Sequence, residues 1–230
     1  MSVSTSKSET LDYTVKRSKR RTLSVEISSR AEIIVRAPMR TPNELVHRFV
    51  HGHVSWIEHH LARALKTNAR FKDHHFESGG RCFLNGEEFT IRHRGGTQGV
   101  RINGNELSVF TKQGNDVPAI LENWFRKESR RVTEIVVGEL TRAGLTEPVA
   151  LRITSARTRW GSCSAKGTVS ISWRCLMAPR ETQRYVVVHE LVHLEHLNHS
   201  ARFWKRVAEY CPQHRAHQQW LREHAQLLDL

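Results

Sequence analysis

The residues whose types and spacing can do chemistry are His189, Glu190 and His193, in the order H-E-x-x-H. On an α-helix, residues four apart lie on the same face. Two imidazoles can therefore point at one metal ion, and Glu190, beside the first, can reach a water on that metal. This is the pattern of a zinc hydrolase with two His ligands and a Glu general base. A third protein ligand is needed, and His199 is the expected one, with His196 and Glu195 as competitors. A continuous helix would carry His199 about 15 Å along the axis from His189, at ~1.5 Å per residue. Zn–N bonds are only about 2.0–2.1 Å. His199 can serve only if the helix stops near residues 196–198 and the chain turns back. Asn198 suits a left-handed helix end. Ser200 can then N-cap a following helix with Phe203, Trp204 and Val207 as its apolar face. His196 lies one turn beyond His193 and needs no reversal, which is its claim as a ligand.

The element that must position these groups is a helix from residue 179 to 196. Pro179 suits its first turn, Glu181 its positive end, and Val186, Val187, Leu191, Leu194 and Leu197 a buried face. The run Tyr185-Val-Val-Val188 would equally suit a buried strand, since β-branched residues favour strands. Before it, Val169-Ser-Ile-Ser-Trp173 alternates apolar and small polar residues and is expected as a strand. Lying along the cleft, it could bind a peptide as an added strand; otherwise it is an ordinary edge strand. Gly161 and Gly167 mark a bent loop between residues 157 and 167, and residues 149–153 form a strand. Beyond residue 203 the chain is helical with a break at Cys211-Pro212, and Val207, Trp220, Leu221 and Leu227 face inward.

Further upstream, residues 11–38 alternate as two or three antiparallel strands, with turns near Lys19-Arg20 and Ser29-Arg30. Thr41-Pro42 signals the start of one long helix reaching about Lys66. It carries His47 and His51 at the four-residue spacing, but Arg48 stands where a general base would be needed, so partly exposed helix histidines are expected. Asp73-His74-His75 is a weak metal lure. Four short strands between residues 82 and 110, separated by Asn85-Gly86, Gly95-Gly96 and Asn103-Gly104, suggest a β-meander. Val117-Pro118 opens a helix with Ile120, Leu121, Trp124, Phe125, Val132, Ile135 and Val136 inward, ending near Gly144. The expected class is α+β. A disordered tail spans 1–10, a β-rich N-terminal region with one long helix spans 11–115, and a metallohydrolase domain spans 116–230.

Composition narrows the setting. The 230 residues can bury a proper core. No apolar run is long enough to span a bilayer, and the Ser/Thr-rich start lacks the apolar centre of a signal peptide. Four cysteines without a C-x-x-C pair argue for small core residues in a reducing cytoplasm rather than a disulfide framework. Lys and Arg outnumber Asp and Glu by 36 to 23, a formal charge of +13 that attracts nucleotides, and nucleic acid weakly.

Several runs together resemble the YgjP-like zinc metallopeptidase family. They are Arg159-Trp-Gly-Ser-Cys-Ser164, Ile171-Ser-Trp-Arg174, Ala178-Pro179, Tyr185-Val-Val-Val-His-Glu-Leu191, Asn198-His-Ser200 and Phe203-Trp204. The early Ser18-Lys-Arg20, Arg36-Ala-Pro38, Trp56-Ile57 and Trp124 extend the likeness over most of the chain. SprT-type proteases are similar more loosely, in the zinc helix. The resemblance implies His189, His193 and His199 as the Zn2+ ligands and a zincin-like core, a small sheet against the active-site helix. Ser172 departs from it, where the family usually has Asn before the Trp.

The expected reaction is hydrolysis by a zinc-bound water, with Glu190 taking the proton and handing it to the leaving group. Arg159, Arg174 and Tyr185 are candidates for stabilising the developing oxyanion. A peptide is the first substrate reading. The alternative is a nucleoside triphosphate pyrophosphohydrolase, its substrate's phosphates held by Arg157, Arg159 and Arg174. A nucleic-acid-tethered, non-enzymatic module is a third, and the intact ligand-plus-base set argues against it.

Overall fold

The computed structural model describes residues 11–28, 31–71, 75–112, 116–225 and 227. The expected tail over 1–10, the Ser29-Arg30 turn and the Asp73-His74 pair lie outside the described residues. The fold is mixed α+β, and the chain divides into two compact units, Met1–Lys72 and Asp73–Leu230.

In the first unit, β1 (Tyr13–Ser18), β2 (Ser24–Ile27) and β3 (Ile33–Pro38) form a sheet in the order β1-β3-β2. Alternation puts Tyr13, Val15, Val25, Ile27, Ile33, Val35 and Ala37 into one cluster with Val46, Val50 and Ile57 from two helices. Only β2 and β3 are antiparallel; β1 runs parallel to β3, with Val15 beside Val35. The expected antiparallel pairing of β1 fails because alternation fixes which face is buried, not strand direction. The basic stretch after β1 is therefore no tight hairpin, since β3 separates β1 from β2. The single long helix expected from residue 41 is two, α1 (Asn43–His51) and α2 (Val54–Phe71). Gly52 ends the first, its N–H bonding to the carbonyl of Arg48, at a residue type that weakly supports helix continuation.

In the second unit, β4 (Arg81–Leu84), β5 (Glu87–Arg94), β6 (Gly99–Asn103) and β7 (Glu106–Phe110) are ordered β4-β5-β7-β6. The two hairpins are as the turn residues require, but β5 and β7 are parallel, so the four strands are not a meander. Helix α3 (Val117–Arg142) buries Ile120, Leu121, Phe125, Ser129, Thr133, Val137 and Leu140. Ile135, expected inward, is 48% exposed. Thr133 holds the inward position instead, its hydroxyl donating to the Ser129 carbonyl at 2.6 Å. The helix stops where expected, at Gly144 with φ +104°.

A second sheet contains β8 (Ala150–Thr154), β9 (Gly161–Cys163) and β10 (Thr168–Ser172), ordered β8-β10-β9. The strand expected at an edge, β10, is thus central. It runs parallel to β8 and antiparallel to β9, which are the two edges. Ser172 closes this sheet, its N–H donating to the Trp160 carbonyl at 2.8 Å and its hydroxyl to the Ala156 carbonyl at 2.9 Å. A buried 3-10 turn, Trp173–Met177, takes over the end of the expected strand. Then come α4 (Arg180–Val192), α5 (Ala201–Tyr210) and α6 (His214–Glu223).

The β4–β5 hairpin belongs with this second unit, and the reason is visible at its turn. Asn85 and Gly86 are both left-handed, at φ +54° and +86°. Their N–H groups donate to the carbonyls of Leu176 and Met177 at 2.9 and 3.0 Å, and Gln183 of α4 donates to the Asn85 side chain at 2.9 Å. A Cβ on Gly86 would come within 2.7 Å of Pro179, so only glycine lets the turn seat on the start of α4. The chain therefore divides after residue 72, not after 115. The core of the second unit runs from Val137 and Leu140 through Val169 and Ile171 to Val186, Val187, Val188, Leu191, Phe203 and Val207.

Candidate metal centre

Helix α4 is nearly enclosed: Tyr185, Val186, Val187, Val188, Leu191 and Val192 are all buried. That burial resolves the strand-or-helix ambiguity of the triple-valine run, because tertiary packing overrides the weak strand preference of valine. His189 and Glu190 stand on its last turn and His193 is its C-cap residue. Backbone bonding continues as turns to His196, whose N–H reaches the Val192 carbonyl at 2.9 Å. The chain then reverses. Asn198 does this without a left-handed backbone; its side-chain oxygen accepts from the Ser200 N–H at 3.3 Å. Leu197, expected on the buried face, is 79% exposed because the helix has already ended. Ser200 occupies the N-cap position of α5 but makes no side-chain cap bond.

The reversal brings His199 back to the other two histidines. One ligand nitrogen from each of His189, His193 and His199 lies within 4.8 Å of the others, and no other such group of three exists among the described residues. The Nε2 atoms of His189 and His199 are 3.1 Å apart. Tetrahedral zinc with bonds of about 2.0–2.1 Å sets its ligand nitrogens roughly 3.3 Å apart, so the donor set fits the ion. Phe203, fully buried, packs against all three imidazoles at 4.9, 4.6 and 4.8 Å between ring centres. Burial, with the neighbouring His193 and His199, drives His189 down to about 3, and burial lowers His193 as well. Both rings are thus held neutral, the form that ligates metal.

The competitors for the third position have other partners. The His196 imidazole does not join the cluster, and its backbone carbonyl accepts from Nδ1 of His193 at 3.0 Å. That leaves Nε2 of His193 for metal. Glu195 takes Arg206 at 2.9 Å and the Thr146 hydroxyl at 3.2 Å, pinning the turn that carries His199.

Glu190 is 6% exposed. Burial pushes its carboxyl up to about 8, and the positive charge of Arg159 opposes that rise. The backbone of β9 lies directly against it. A Cβ placed on Gly161 would sit 2.6 Å from Glu190 Oε1 and 2.7 Å from its Cγ. This contact is why the Arg159-Trp-Gly-Ser-Cys163 run needs a glycine at its centre.

The three candidate helpers part ways. Arg159 is exposed and near enough to Glu190 to act on its charge. Arg174 is buried, stacked on Trp173 at 4.1 Å and donating to the Ser155 carbonyl at 3.3 Å. Tyr185 sits behind His189: its hydroxyl is 3.4 Å from Nδ1 of that ring, on the side away from its Nε2, which faces His199. Sequence reasoning missed the packing roles of Gly161, Phe203 and Trp204. The signals were present, as a glycine inside a polar motif and two aromatics directly after the turn.

The family model described as YgjP-like, metallopeptidase domain, matches residues 21–224. A solved structure, the metallopeptidase zymogen abylysin of Pyrococcus abyssi, matches at 23% identity over 41% of this chain and 90% of that chain, with a TM-score of 0.33. No curated protein matches. That family match runs over most of the chain, and the chain belongs to the YgjP-like metallopeptidase domain family.

Proposed function

We propose that this protein is a zinc-dependent peptidase in which His189, His193 and His199 hold the ion and Glu190 is the general base. The observation that carries the reading is the convergence of three imidazoles beside one buried carboxylate. Three imidazole ligands suit zinc and leave one coordination position free, as catalytic zinc sites do. When bound, zinc supplies a Lewis acid that polarises the scissile carbonyl and lowers the pKa of water. Glu190 takes a proton from the attacking water and returns it to the leaving amine. Arg159 is the candidate for steadying the developing oxyanion. Tyr185 orients His189, as outer partners of metal-binding histidines do. The small sheet beside α4 is the arrangement expected of a zincin. The edge strand β9 runs past Glu190 and would take an extended peptide as an added strand.

The nucleotide pyrophosphohydrolase reading gains no support. Its clamp of three arginines loses Arg174, which is 2% exposed and bonded to Ser155. The first unit invites a different acidic partner. Residues 1–72 hold 14 Lys and Arg against 6 Asp and Glu. We propose that this excess gives only a weak, salt-sensitive attraction to nucleic acid, through charge rather than base contacts. No helix among the described residues is long and apolar enough to cross a membrane. The four cysteines are free thiols, which suits the cytoplasm we propose as its location.

A parallel assay of zinc-loaded protein on a peptide library and on nucleoside triphosphates tests the reading, with Glu190→Gln as the blank. Peptide cleavage falling about 10²–10⁴-fold in the variant is expected, with zinc still bound. Cleavage that survives Glu190→Gln rules out Glu190 as base; pyrophosphate release that depends on Glu190 would replace the peptidase reading.

A further inference from the structure

The three imidazoles are not supported alike. His189 and His193 each have an Nδ1 partner, the Tyr185 hydroxyl at 3.4 Å and the His196 carbonyl at 3.0 Å. Such partners fix ring orientation and tautomer at metal sites. Nδ1 of His199 has no hydrogen-bond partner among the described residues, and His199 is the exposed member of the three. It also stands outside any helix, on the turn between α4 and α5. Its ring nevertheless has a defined neighbour. The Trp204 indole stacks on it, with ring centres 5.6 Å apart and planes 25° apart. His214 stacks on the same indole at 5.4 Å and 20°. The buried Nδ1 of His214 has no hydrogen-bond partner either, so packing rather than hydrogen bonding holds this column.

Resting on the metal-centre reading above, we propose that Trp204 is the positioning residue of the third ligand. Its indole face does for His199 what hydrogen bonds do for His189 and His193. The placement follows from α5: Trp204 follows Phe203, so one residue floors the three imidazoles and the next flanks the exposed one. A flat aromatic is required because stacking restrains ring tilt, which an aliphatic side chain of similar bulk does not.

The test is zinc affinity of the full chain, measured by competition with a chromophoric chelator, beside the thermal midpoint of the metal-free protein. Trp204→Leu should weaken zinc binding by about 10–100-fold, the usual effect of losing an outer partner. Trp204→Phe should stay within about threefold of the parent, because a stacking ring is restored. A general packing defect would lower the metal-free midpoint and weaken both variants together. Equal losses in Leu and Phe, or no loss in Leu, overturn the proposal. If the Leu variant does not fold, indole emission decides. Zinc should change the emission of the parent and not that of Trp204→Phe; the same change in both overturns the proposal. His199→Ala separates the two levels. A parent that binds zinc, weakened by His199→Ala but not by Trp204→Leu, removes the stack and leaves the metal centre. A parent that binds no zinc removes both.

Discussion

Two helices in this chain carry histidines four residues apart, and only one pair, that of α4, gathers a third imidazole beside it. In α1, His47 and His51 have the same spacing as His189 and His193 in α4. The nitrogen Nδ1 of His47 meets the Tyr13 hydroxyl at 2.7 Å. Along α1 and α2, His53 and His60 bond back to the carbonyls of Phe49 and Trp56, at 2.7 and 2.8 Å. Each of these rings has a local partner, and no group of three ligand atoms forms around them among the described residues. In α4 the helix ends at its second histidine, the chain doubles back with a third, and Phe203 lies beneath all of them. Spacing makes a pair available. A chain reversal and a buried floor make it a site.

The largest effect that can break this comparison is on metal binding. His193→Ala should lower zinc affinity by more than the ~10–100-fold loss typical of an outer partner, in a protein whose fold survives. Unchanged affinity in the chelator competition would mean that the three imidazoles are not the site.

Next in size is Gly161→Ala. The new Cβ would overlap the Glu190 carboxylate, 2.6 Å from Oε1, while leaving the three histidines alone. Activity should fall about 10²-fold, as a displacement near 1 Å can cause, with zinc affinity held. A loss of zinc affinity matching the loss of activity would show that Gly161 serves the fold around the histidines instead.

Smaller still is a pH effect in the metal-free protein. Burial raises Glu190 from its ordinary 4.5 to about 8, and burial with His193 and His199 lowers His189 from 6.5 to about 3. The contribution of Glu190 is full below 4.5 and is lost as pH rises through 8. That of His189 is full above 6.5 and is lost as pH falls through 3. Of this pair, only Glu190 acts between pH 6.5 and 8, and it should remove about 2 kcal/mol there. Denaturant midpoints in chelator should show that decline in the parent and a flat line in Glu190→Gln. A decline of equal slope in both would assign it to other groups.

The smallest effect belongs to the other helix. His47→Ala with His51→Ala should leave zinc stoichiometry and affinity unchanged. It should cost about 1 kcal/mol through the lost Tyr13 bond. A fall in bound zinc would remove the contrast between the two helices.

Much of the site was legible without a structure because it is local. His189, Glu190 and His193 sit within five residues, where helix geometry alone dictates which side chains meet. His199 was one of three candidates for the third position, with His196 and Glu195, and the reach of a metal–nitrogen bond fixed only its condition, a reversal within six residues. Even so, the device differed, an Asn198 side-chain bond in place of a left-handed residue. Most strand positions and the turns at Asn85-Gly86 and Gly144 were legible for the same reason, since alternation and left-handed glycines are properties of neighbouring residues, whereas β9 lay in a stretch read as a bent loop.

Pairing was legible only across tight turns, as in the β4–β5 and β6–β7 hairpins. The parallel β1–β3 and β5–β7 ladders, and β9 rather than β10 at the sheet edge, bury nearly the same faces that the expected pairings would. The sequence by itself determined the chemistry on offer: two imidazoles and a carboxylate on one turn, a third imidazole in reach, and a strongly basic chain. The tertiary structure decided how that chemistry is framed. It set Gly161 against Glu190, turned Tyr185 to the back of His189, buried Arg174 away from solvent and laid Trp204 on His199. Except for the local Tyr185–His189 and Trp204–His199 pairs, those choices depend on contacts between residues distant in sequence or on how separate elements pack, and no local period encodes them.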